Sequence, residues 1–307
     1  MKEAQLLLCL FCYMPISAEM CEMKDQIKYI AAMLIYGTNG IVASFIDLPS
    51  EEIVLMRTLI GGALLSLLVL LSRSRPEPGA VKSQGLKLLC AGVCLGANWA
   101  LLFEAYKLAG VSMATLMDYC APVIVLLLSP LLLRQKQGAR AYIGMAAAIF
   151  GLVLALGIGG VHITGTALAV GLAAAVFYAG LIILNQMIKG FSGLQLTAAE
   201  LVIAAVVMLC YVLLRGGSIR LPGNEGGTAA LLVLCTVNTA LACYLYFSSM
   251  NRLRARTVAL LGYIDPVSAL VFAAVFLNES MTALQIFGAA LVLAGAAYGQ
   301  SGGKERL

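Results

Sequence analysis

The sequence predicts an all-α membrane protein in which ten transmembrane helices form two inverted five-helix repeats, with both termini in the cytoplasm. Of the 307 residues, 62% are apolar and 11% are charged, whereas a soluble domain carries about 25% charged residues. Lysine and arginine concentrate in alternate loops, and two long stretches of the chain resemble each other at a fixed offset. These three observations predict a polytopic membrane protein.

The apolar residues fall into long blocks that approach the ~20 residues needed to cross a hydrocarbon core of about 30 Å. Such runs are too long and too uniform for alternating barrel strands, so helices are the expected spanning elements. Gly- and Pro-containing turn sequences separate the blocks. The predicted spans are Ile27–Ile46, Glu51–Leu71, Gly85–Tyr106, Val111–Leu133, Ala139–Ile158, Thr164–Ile188, Leu194–Leu214, Thr228–Met250, Ala255–Leu277 and Met281–Gln300.

Basic residues give the expected orientation of these spans. With both termini on one side, sixteen lysines and arginines fall on that side, three on the other, and Arg57 inside a span. By the positive-inside rule the crowded side is cytoplasmic and the number of spans is even. The net charge of +5 is therefore interpreted as a topology signal and not as a nucleic-acid surface.

A shift of 144 residues superposes part of the chain on itself. Residues 101–151 then share eleven ungapped identities with the second copy, where chance gives roughly four or five in a sequence so rich in Leu and Ala. The most distinctive pairs are Tyr119/Tyr263, Pro122/Pro266, Gly144/Gly288 and Gly151/Gly295. Because each repeat holds an odd number of spans, the halves are predicted to lie in opposite orientations, as in secondary transporters.

These patterns divide the chain into four parts. Residues 1–23 are predicted to be a leader or the product of a mis-assigned start, outside the fold, because Met20 and Met23 directly precede the first good span. Residues 24–158 form the first five-helix repeat and residues 159–300 the second. Residues 301–307 form a short cytoplasmic tail.

Ionisable residues inside spans cost about 2.5–3.5 kcal/mol each on insertion scales, so they require an explanation. The five in this sequence are Arg57, Glu104, Asp118, Glu200 and Asp265. Two of them lie in equivalent stretches of the two repeats, Asp118-Tyr-Cys-Ala-Pro122 and Gly262-Tyr-Ile-Asp-Pro266. Each stretch offers a carboxylate, a tyrosine hydroxyl and a carbonyl that proline leaves without a donor.

Such groups are tolerated at membrane depth where they line a water-filled cavity. The sequence therefore predicts a midplane substrate or proton site between the repeats, with the two prolines in a structural role. The alternative is that both acids pair structurally with Tyr or Asn neighbours. The predicted substrate-binding residues are Asp118, Tyr119, Asp265, Tyr263, Tyr36, Asn39, Asn98, Trp99, Tyr178, Asn238 and Tyr244. The structural prolines are Pro122 and Pro266.

The remaining ionisable residues have less distinctive surroundings. Glu200 is a candidate for proton coupling, together with Asp118 and Asp265, and it could equally be a lumen-facing residue close to the cytoplasmic interface. Arg57 and Glu104 fall in the outer third of their helices, so a structural salt bridge between them is the simpler expectation.

Several kinds of function lack the residues that they need. His162 is the only histidine, so a His-based metal centre or catalytic triad is hard to build. No phosphate-binding Gly-x-x-x-x-Gly-Lys-Ser/Thr loop occurs, which argues against ATP hydrolysis. The nine cysteines are mostly inside apolar segments and are interpreted as small apolar filler. We therefore expect no enzyme activity, no metal, no cofactor and no nucleic-acid partner.

The end of the second repeat resembles a known family. The stretch Pro266-Val-Ser-Ala-Leu-Val-Phe-Ala-Ala-Val-Phe-Leu-Asn-Glu279, followed by Gln285-Ile-Phe-Gly288 and Leu293-Ala-Gly295, is similar to the repeat ending of the EamA type of the drug/metabolite transporter superfamily. Arg57 in the second span and prolines in the fourth and ninth add to the resemblance, which covers Ile27 to Gln300. One departure is that the position equivalent to Glu279 is Gln135, and another is the pair of acids beside the prolines.

The resemblance implies efflux of a small metabolite or drug, such as an amino acid or organic cation, by alternating access across the plasma membrane. It implies a multi-pass protein without an ATPase subunit, present as a monomer or homodimer, with the small-molecule substrate and the lipid bilayer as partners. The acids point to a cationic or zwitterionic substrate, and coupling to protons stays open. The alternative is a flippase for a lipid or lipid-linked sugar, which favours basic residues in the cavity.

Overall fold

Helices account for the secondary structure of the described chain. The structure, a computed structural model, describes residues 23–72, 75–133, 138–157, 164–217, 219–250, 252–253 and 261–300, and no strand occurs among them. Helix α1 covers residues 23–37. The later helices are α2 Asn39–Ser44, α3 Ser50–Leu71, α4 Ala80–Asp118, α5 Ala121–Leu132, α6 Ala139–Gly157, α7 Gly165–Met187, α8 Gly193–Leu214, α9 Glu225–Cys235, α10 Ala242–Met250, α11 Ile264–Phe276 and α12 Ala283–Gln300.

Five helical stretches of the described chain are long and apolar enough to cross a membrane. They are Ser50–Leu71, Ala80–Leu132, Gly165–Met187, Gly193–Leu214 and Glu225–Met250. Shorter apolar helices cover Ala139–Ala155, Ile264–Phe276 and Ala283–Gly299. The all-helical membrane character predicted from composition is confirmed by these stretches. Apart from Met23, the predicted leader lies outside the described residues, as do the tail 301–307 and the start of the predicted ninth span.

Helix α4 has a break where two spans were predicted to meet. Gly110 has φ 80° and ψ 163° inside the 39-residue element, and only glycine adopts such a backbone conformation without strain. A straight helix of that length would extend about 58 Å, nearly twice the hydrocarbon thickness. The break separates an arm of residues 80–109 from an arm of residues 111–118, as the predicted turn after Tyr106 requires.

Helix α4 and helix α3 organise the core. Helix α4 packs against α7 and α8, and α3 packs against α8. One apolar cluster joins Leu55 of α3 to Phe103 of α4 and Val212 of α8. A second joins Leu65 of α3 to the same two helices farther along. This packing fixes α3 and α4, which carry several of the ionisable residues, relative to each other.

Two predicted spans have interruptions that the sequence did not specify. The predicted span Ile27–Ile46 divides at Thr38, whose hydroxyl donates to the carbonyl of Ile35 at 2.7 Å. Between α9 and α10 the residues Thr236–Leu241 form a π-helix. Asn238 of that π-helix donates to Ile35 O and to Thr38 Oγ1, both at 2.8 Å. The two irregular segments therefore satisfy each other's polar groups inside the protein, where lipid could not.

Helices α6 and α12 pack backbone to backbone through glycines. A Cβ added at Gly151 would lie 2.5 Å from Gly288 O, and one added at Gly295 would lie 2.6 Å from Gly144 O. Low-numbered residues of α6 thus meet high-numbered residues of α12, so the helices are antiparallel. In the sequence repeat, Gly144 corresponds to Gly288 and Gly151 to Gly295. In the contact the pairs are exchanged, so that Gly144 meets Gly295 and Gly151 meets Gly288.

Glu279, which follows α11, caps the second arm of α4. Its Oε1 accepts from the backbone N–H of Val111 at 2.7 Å, and its Oε2 accepts from that of Ser112 at 2.9 Å. These are the first N–H groups after the break at Gly110, which a helix start leaves without internal partners. A carboxylate at this end also interacts favourably with the helix dipole. The acid at the end of one predicted repeat thus anchors a helix of the other.

We expect Glu279→Ala to lower the free energy of unfolding by about 1–3 kcal/mol, because two charge-assisted hydrogen bonds are lost at partly buried donors. Thermal unfolding of the purified protein in detergent measures the effect as a lower Tm. Glu77→Ala is the matched control, because Glu77 is exposed in the loop before α4. Equal Tm values for the two variants would show that the cap contributes nothing.

Candidate functional site

A single cavity of about 520 Å³ collects most of the predicted site residues. Residues of α1, α2, α3, α4, α5, α7, α8, α10 and α11 line it, together with residues between these helices. Of the eleven predicted substrate-binding residues, nine line this cavity: Asp118, Tyr119, Asp265, Tyr263, Tyr36, Asn39, Asn98, Trp99 and Tyr178. The volume lies within the ~300–1,000 Å³ range of small-molecule sites.

Both aspartates lie at breaks in the helices that carry them. Helix α4 ends at Asp118, and α5 begins at Ala121. Tyr263 precedes α11, which begins at Ile264 and holds Asp265 in its first turn. In each case the proline falls in the first turn after the break, where a missing N–H costs least. The repeat and its prolines therefore place the two acids at equivalent backbone irregularities.

The hydrogen-bond partners of the two cavity aspartates are neutral side chains. Asn98 Nδ2 donates to Asp118 Oδ1 at 2.8 Å and to Ala174 O at 3.0 Å. Tyr119 donates its hydroxyl to Asp265 Oδ2 at 2.6 Å. Neither aspartate forms an ion pair with a described lysine or arginine. Because Tyr119 follows Asp118 in the chain and bonds Asp265, it joins the acid of one predicted repeat to that of the other.

The cavity also contains polar groups that the protein leaves unsatisfied. Six buried side-chain oxygens among the described residues make no hydrogen bond. Five of them belong to residues that line the cavity: Asn39 Oδ1, Thr115 Oγ1, Asn185 Oδ1, Glu200 Oε1 and Tyr263 Oη. Buried polar groups are rarely left unpaired in native proteins, so this concentration is typical of a surface that binds a polar ligand or water.

Glu200 lies in the cavity wall. It is 3% exposed, and its neighbours in the wall include Thr197 one turn earlier on α8. This position, in the cavity wall and near the start of α8, fits both sequence interpretations of Glu200. Proton coupling by Glu200 stays a prediction.

The expected salt bridge between Arg57 and Glu104 is wrong, because each side chain has another partner. Arg57 Nε donates to Thr239 Oγ1 at 2.8 Å, and its guanidinium carbon lies 3.8 Å from the centre of the Trp99 ring. Glu104 Oε2 accepts from the hydroxyl of Ser50 at 2.8 Å. Similar depth in the membrane did not imply proximity, because Arg57 turns toward the cavity whereas Glu104 turns toward the start of α3.

Two predicted cavity residues lie elsewhere. Asn238 is 1% exposed and uses its amide on Ile35 and Thr38, so its role here is to hold the π-helix against the break between α1 and α2. Tyr244 is 45% exposed on the outer surface of α10. Tyr246, two residues later and so on the opposite side of the helix, lines the cavity instead.

Sequence reasoning missed several lining residues. The polar ones include Tyr29, Tyr106, Thr115, Asn185, Thr197 and Tyr246. Tyr29 lies seven residues before Tyr36, two helical turns away and on the same face, so helical spacing from a predicted cavity residue could have found it. Nothing comparable identifies Thr115, which lies on the short arm after Gly110.

Variants of Asn238 and Tyr244 test the placement of these two residues outside the cavity. We expect Asn238→Ala to lower the free energy of unfolding by about 1–3 kcal/mol, because Ile35 O and Thr38 Oγ1 lose a shared buried donor. Tyr244→Phe should leave both Tm and transport unchanged. Thermal unfolding and proteoliposome uptake measure the two quantities, and loss of uptake in Tyr244→Phe would contradict the placement of the cavity.

The described acids, cysteines and histidines do not cluster in the way that a metal requires: no group of three or more such side chains is positioned to hold an ion. The polar groups and rings that line the cavity are carboxylates, amides, hydroxyls, aromatic rings and one guanidinium. This set suits a polar organic molecule with some apolar surface.

Comparisons with known proteins give a family and several relatives. The EamA-like transporter family matches the chain twice, over residues 26–157 and 165–298. An uncharacterized transporter, YxxF, of Bacillus subtilis is 26% identical over 277 residues, covering 88% of each chain. Protein PecM of Dickeya dadantii is 26% identical over 88% of this chain and 90% of its own. The threonine/homoserine exporter RhtA of Escherichia coli K12 is 26% identical over 69% of this chain and 70% of its own.

The fold also has a counterpart among solved structures. One crystal structure superposes with a TM-score of 0.63 and 19% sequence identity, covering 91% of this chain and 98% of the other. At this identity the likeness concerns the fold alone, and it extends over nearly the whole chain.

Proposed function

This chain belongs to the EamA-like transporter family, and from that premise we propose that it is a secondary active transporter that exports a small organic metabolite or drug by alternating access. The substrate binds in the cavity between the two halves of the chain. A membrane transporter is the coarser function that the family establishes. The direction, the substrate and the mechanism are the proposed part.

The proposed architecture is ten spans in two inverted repeats, residues 24–158 and 159–300, with both termini in the cytoplasm. Two family matches of similar length support the division. Equivalent helix breaks at Tyr119 and Tyr263 support the repeat. The antiparallel contact between α6 and α12 supports the inversion, because equivalent helices of inverted halves run in opposite directions. The sixteen-to-three distribution of basic residues supports the orientation.

The observation that carries the proposal is a pair of aspartates in one cavity, Asp118 buried and Asp265 half-buried, that form no ion pair with a described lysine or arginine. A carboxylate removed from water is costly unless a cation or proton neutralises it. Two carboxylates at membrane depth without a basic side chain beside them are therefore expected where a cation or proton binds. An ammonium group of the substrate would contact Asp118 and Asp265, and the aromatic side chains would cover its apolar part. Displacement of a proton by that ammonium would couple transport to a pH gradient.

The position of the cavity is consistent with loading from the cytoplasm. Asn185 lies near the end of α7, and Thr197 and Glu200 lie near the start of α8, which are the cytoplasmic ends in the proposed topology. At the opposite ends, Lys107 Nζ donates to Leu48 O at 2.8 Å, and Arg220 forms an ion pair with Glu52 at 3.0 Å. These contacts tie the outer loops together, as an inward-facing exporter requires.

An amino acid or an organic cation is the proposed substrate class. RhtA, a relative named as a threonine/homoserine exporter, supports the amino acids, and the acids of the cavity support a cationic group. A flippase for a lipid or lipid-linked sugar fits less well, because a phosphate would meet Asp118, Asp265 and Glu200 in the same cavity as the single arginine. The proposed location is the plasma membrane, and the proposed oligomeric state is a monomer or homodimer.

Uptake into proteoliposomes tests the proposal. Purified protein is reconstituted, and entry of labelled amino acids and organic cations is followed with and without a pH gradient across the membrane. We expect saturable uptake of at least one member of the panel above that of protein-free liposomes, and stimulation by the gradient if a proton is exchanged. Uptake equal to that of empty liposomes for every member would contradict the proposed function.

A further inference from the structure

Arg57 is a buried cation whose charge no described side chain neutralises at contact distance. It is 2% exposed, lies in α3 and lines the cavity. No described carboxylate lies within the 4.0 Å of an ion pair. An unpaired buried charge is costly in a protein and more so at membrane depth, so the fold retains Arg57 at an energetic cost that a structural role alone does not explain.

The surroundings of Arg57 hold the guanidinium in one orientation. Nε donates to Thr239 Oγ1 at 2.8 Å, and Thr239 in turn donates to Leu234 O at 2.8 Å. The guanidinium carbon lies 3.8 Å from the centre of the Trp99 ring and 5.7 Å from that of Phe103. Stacking and one hydrogen bond therefore fix the plane of the group.

The terminal nitrogens of Arg57 are left available. A guanidinium has five N–H donors, and the only hydrogen bond that it makes to the described residues uses Nε. The remaining donors form a planar fork that matches the two oxygens of a carboxylate. A fixed fork in the wall of a cavity is suited to bind an anion.

We propose that Arg57, held on the face of Trp99, binds the carboxylate of the transported molecule, so that the cavity is a site for zwitterions. The ammonium group of the same molecule contacts the acids joined by Tyr119. The inference rests on the proposed function of the cavity as the substrate site and goes beyond it by requiring two opposite charges on one ligand. A simple organic cation would leave Arg57 unpaired and would bind more weakly.

Trp99 reports on this subsite directly, because it is the only tryptophan in the chain. The experiment titrates detergent-purified protein at pH 7 with the non-aromatic amino acids, with the carboxamide of each and with the corresponding decarboxylated amine, and follows Trp99 fluorescence. The carboxamide is close in shape to the amino acid but lacks the negative charge. We expect at least one amino acid to change the emission saturably, with an apparent Kd about 10- to 100-fold lower than that of its carboxamide and its amine.

Substitution of Arg57 assigns the effect to that residue. Arg57→Gln should remove the preference for the amino acid over its carboxamide while leaving the weak binding of the amine. Arg57→Lys should restore part of the preference, because it keeps the charge without the planar fork. Arg140→Gln, at an exposed position near the start of α6 and outside the cavity lining, is the matched control and should keep the wild-type preference.

The outcomes are distinct from those of the transport assay. The inference is overturned if no amino acid changes the emission of wild-type protein, if carboxamides bind as tightly as amino acids, or if Arg57→Gln retains the preference. An equal loss of all ligands in a folded Arg57→Gln also overturns it, since Arg57 would then serve the acids and not the carboxylate. Wild-type binding with that preference but without uptake would contradict transport and leave the subsite supported. The wild-type comparison holds even if Arg57→Gln does not fold.

Discussion

Asp265→Asn and Asp118→Asn are expected to reduce proteoliposome uptake of the substrate by about 10- to 100-fold, because each removes a charge that binds the ammonium group at a buried site. Asparagine has nearly the same shape as aspartate. Its carbonyl can still accept the hydrogen bond from Tyr119 at position 265 or from Asn98 at position 118. The helix breaks should therefore persist, and the loss should reflect charge rather than unfolding.

A matched control places the same substitution outside the cavity. Asp47 is exposed in the loop between α2 and α3, so Asp47→Asn should transport like the wild type. Thermal unfolding of each variant establishes that it is folded before uptake is compared. Normal uptake by both cavity variants would show that the two acids are structural, as the alternative interpretation of the sequence holds, and would direct attention to Glu200.

The second large effect is expected in the contact between α6 and α12. Gly151→Ala should lower the free energy of unfolding by about 1–3 kcal/mol. Its Cβ would lie 2.5 Å from Gly288 O, 2.7 Å from Leu291 Cβ and 2.8 Å from Val292 N. Two of these atoms belong to the backbone and cannot rotate away, so the helices must separate. Gly151→Val should be worse, and thermal unfolding in detergent measures both.

Gly85→Ala is the control for this prediction. Gly85 lies inside α4, and a Cβ there meets nothing within 4 Å. Alanine is favoured over glycine in a helix by about 1 kcal/mol, so this variant should be as stable as the wild type or slightly more stable. If Gly151→Ala unfolds at the same temperature as Gly85→Ala, the close approach of α6 and α12 does not exist in the membrane protein.

The internal repeat explains why so much of the cavity was predictable from sequence. An acid, a tyrosine and a proline recur after 144 residues, and the prolines fix where regular hydrogen bonding stops. Asp118 and Asp265 were therefore expected at similar depth, and they line one cavity. Gly144 and Gly288 were likewise visible as a repeat. The sequence did not show that they pack against Gly295 and Gly151, respectively.

Side-chain direction was harder to predict than depth. The hydropathy of a uniformly apolar helix does not distinguish its cavity side from its lipid side, so Tyr244 was chosen where Tyr246 lines the site. The same uncertainty led to the expected pair of Arg57 with Glu104, whose partners are Thr239 and Ser50. Only the packing of α3 against its neighbours settles which way each residue points.

Contacts between distant backbone segments were beyond the sequence. Glu279 was noticed through a family resemblance, yet nothing in the sequence connects it with the N–H groups of Val111 and Ser112, about 170 residues away. The π-helix that contains Asn238 is similar in this respect. Its Asn238 donates to Thr38 at the break between α1 and α2. A local sequence pattern does not show a hydrogen bond to a residue 200 positions away.

Solute counterflow tests the central claim most directly. Proteoliposomes loaded with a high concentration of the unlabelled amino acid identified in the uptake panel are diluted into a trace of the labelled one, and the label inside is followed with time. The account predicts a transient accumulation in wild-type vesicles that is absent with Asp265→Asn, because a carrier with one alternating site exchanges solute across the membrane. Absence of accumulation by the wild type, or equal accumulation by Asp265→Asn, would contradict the assignment of this cavity as the transport site.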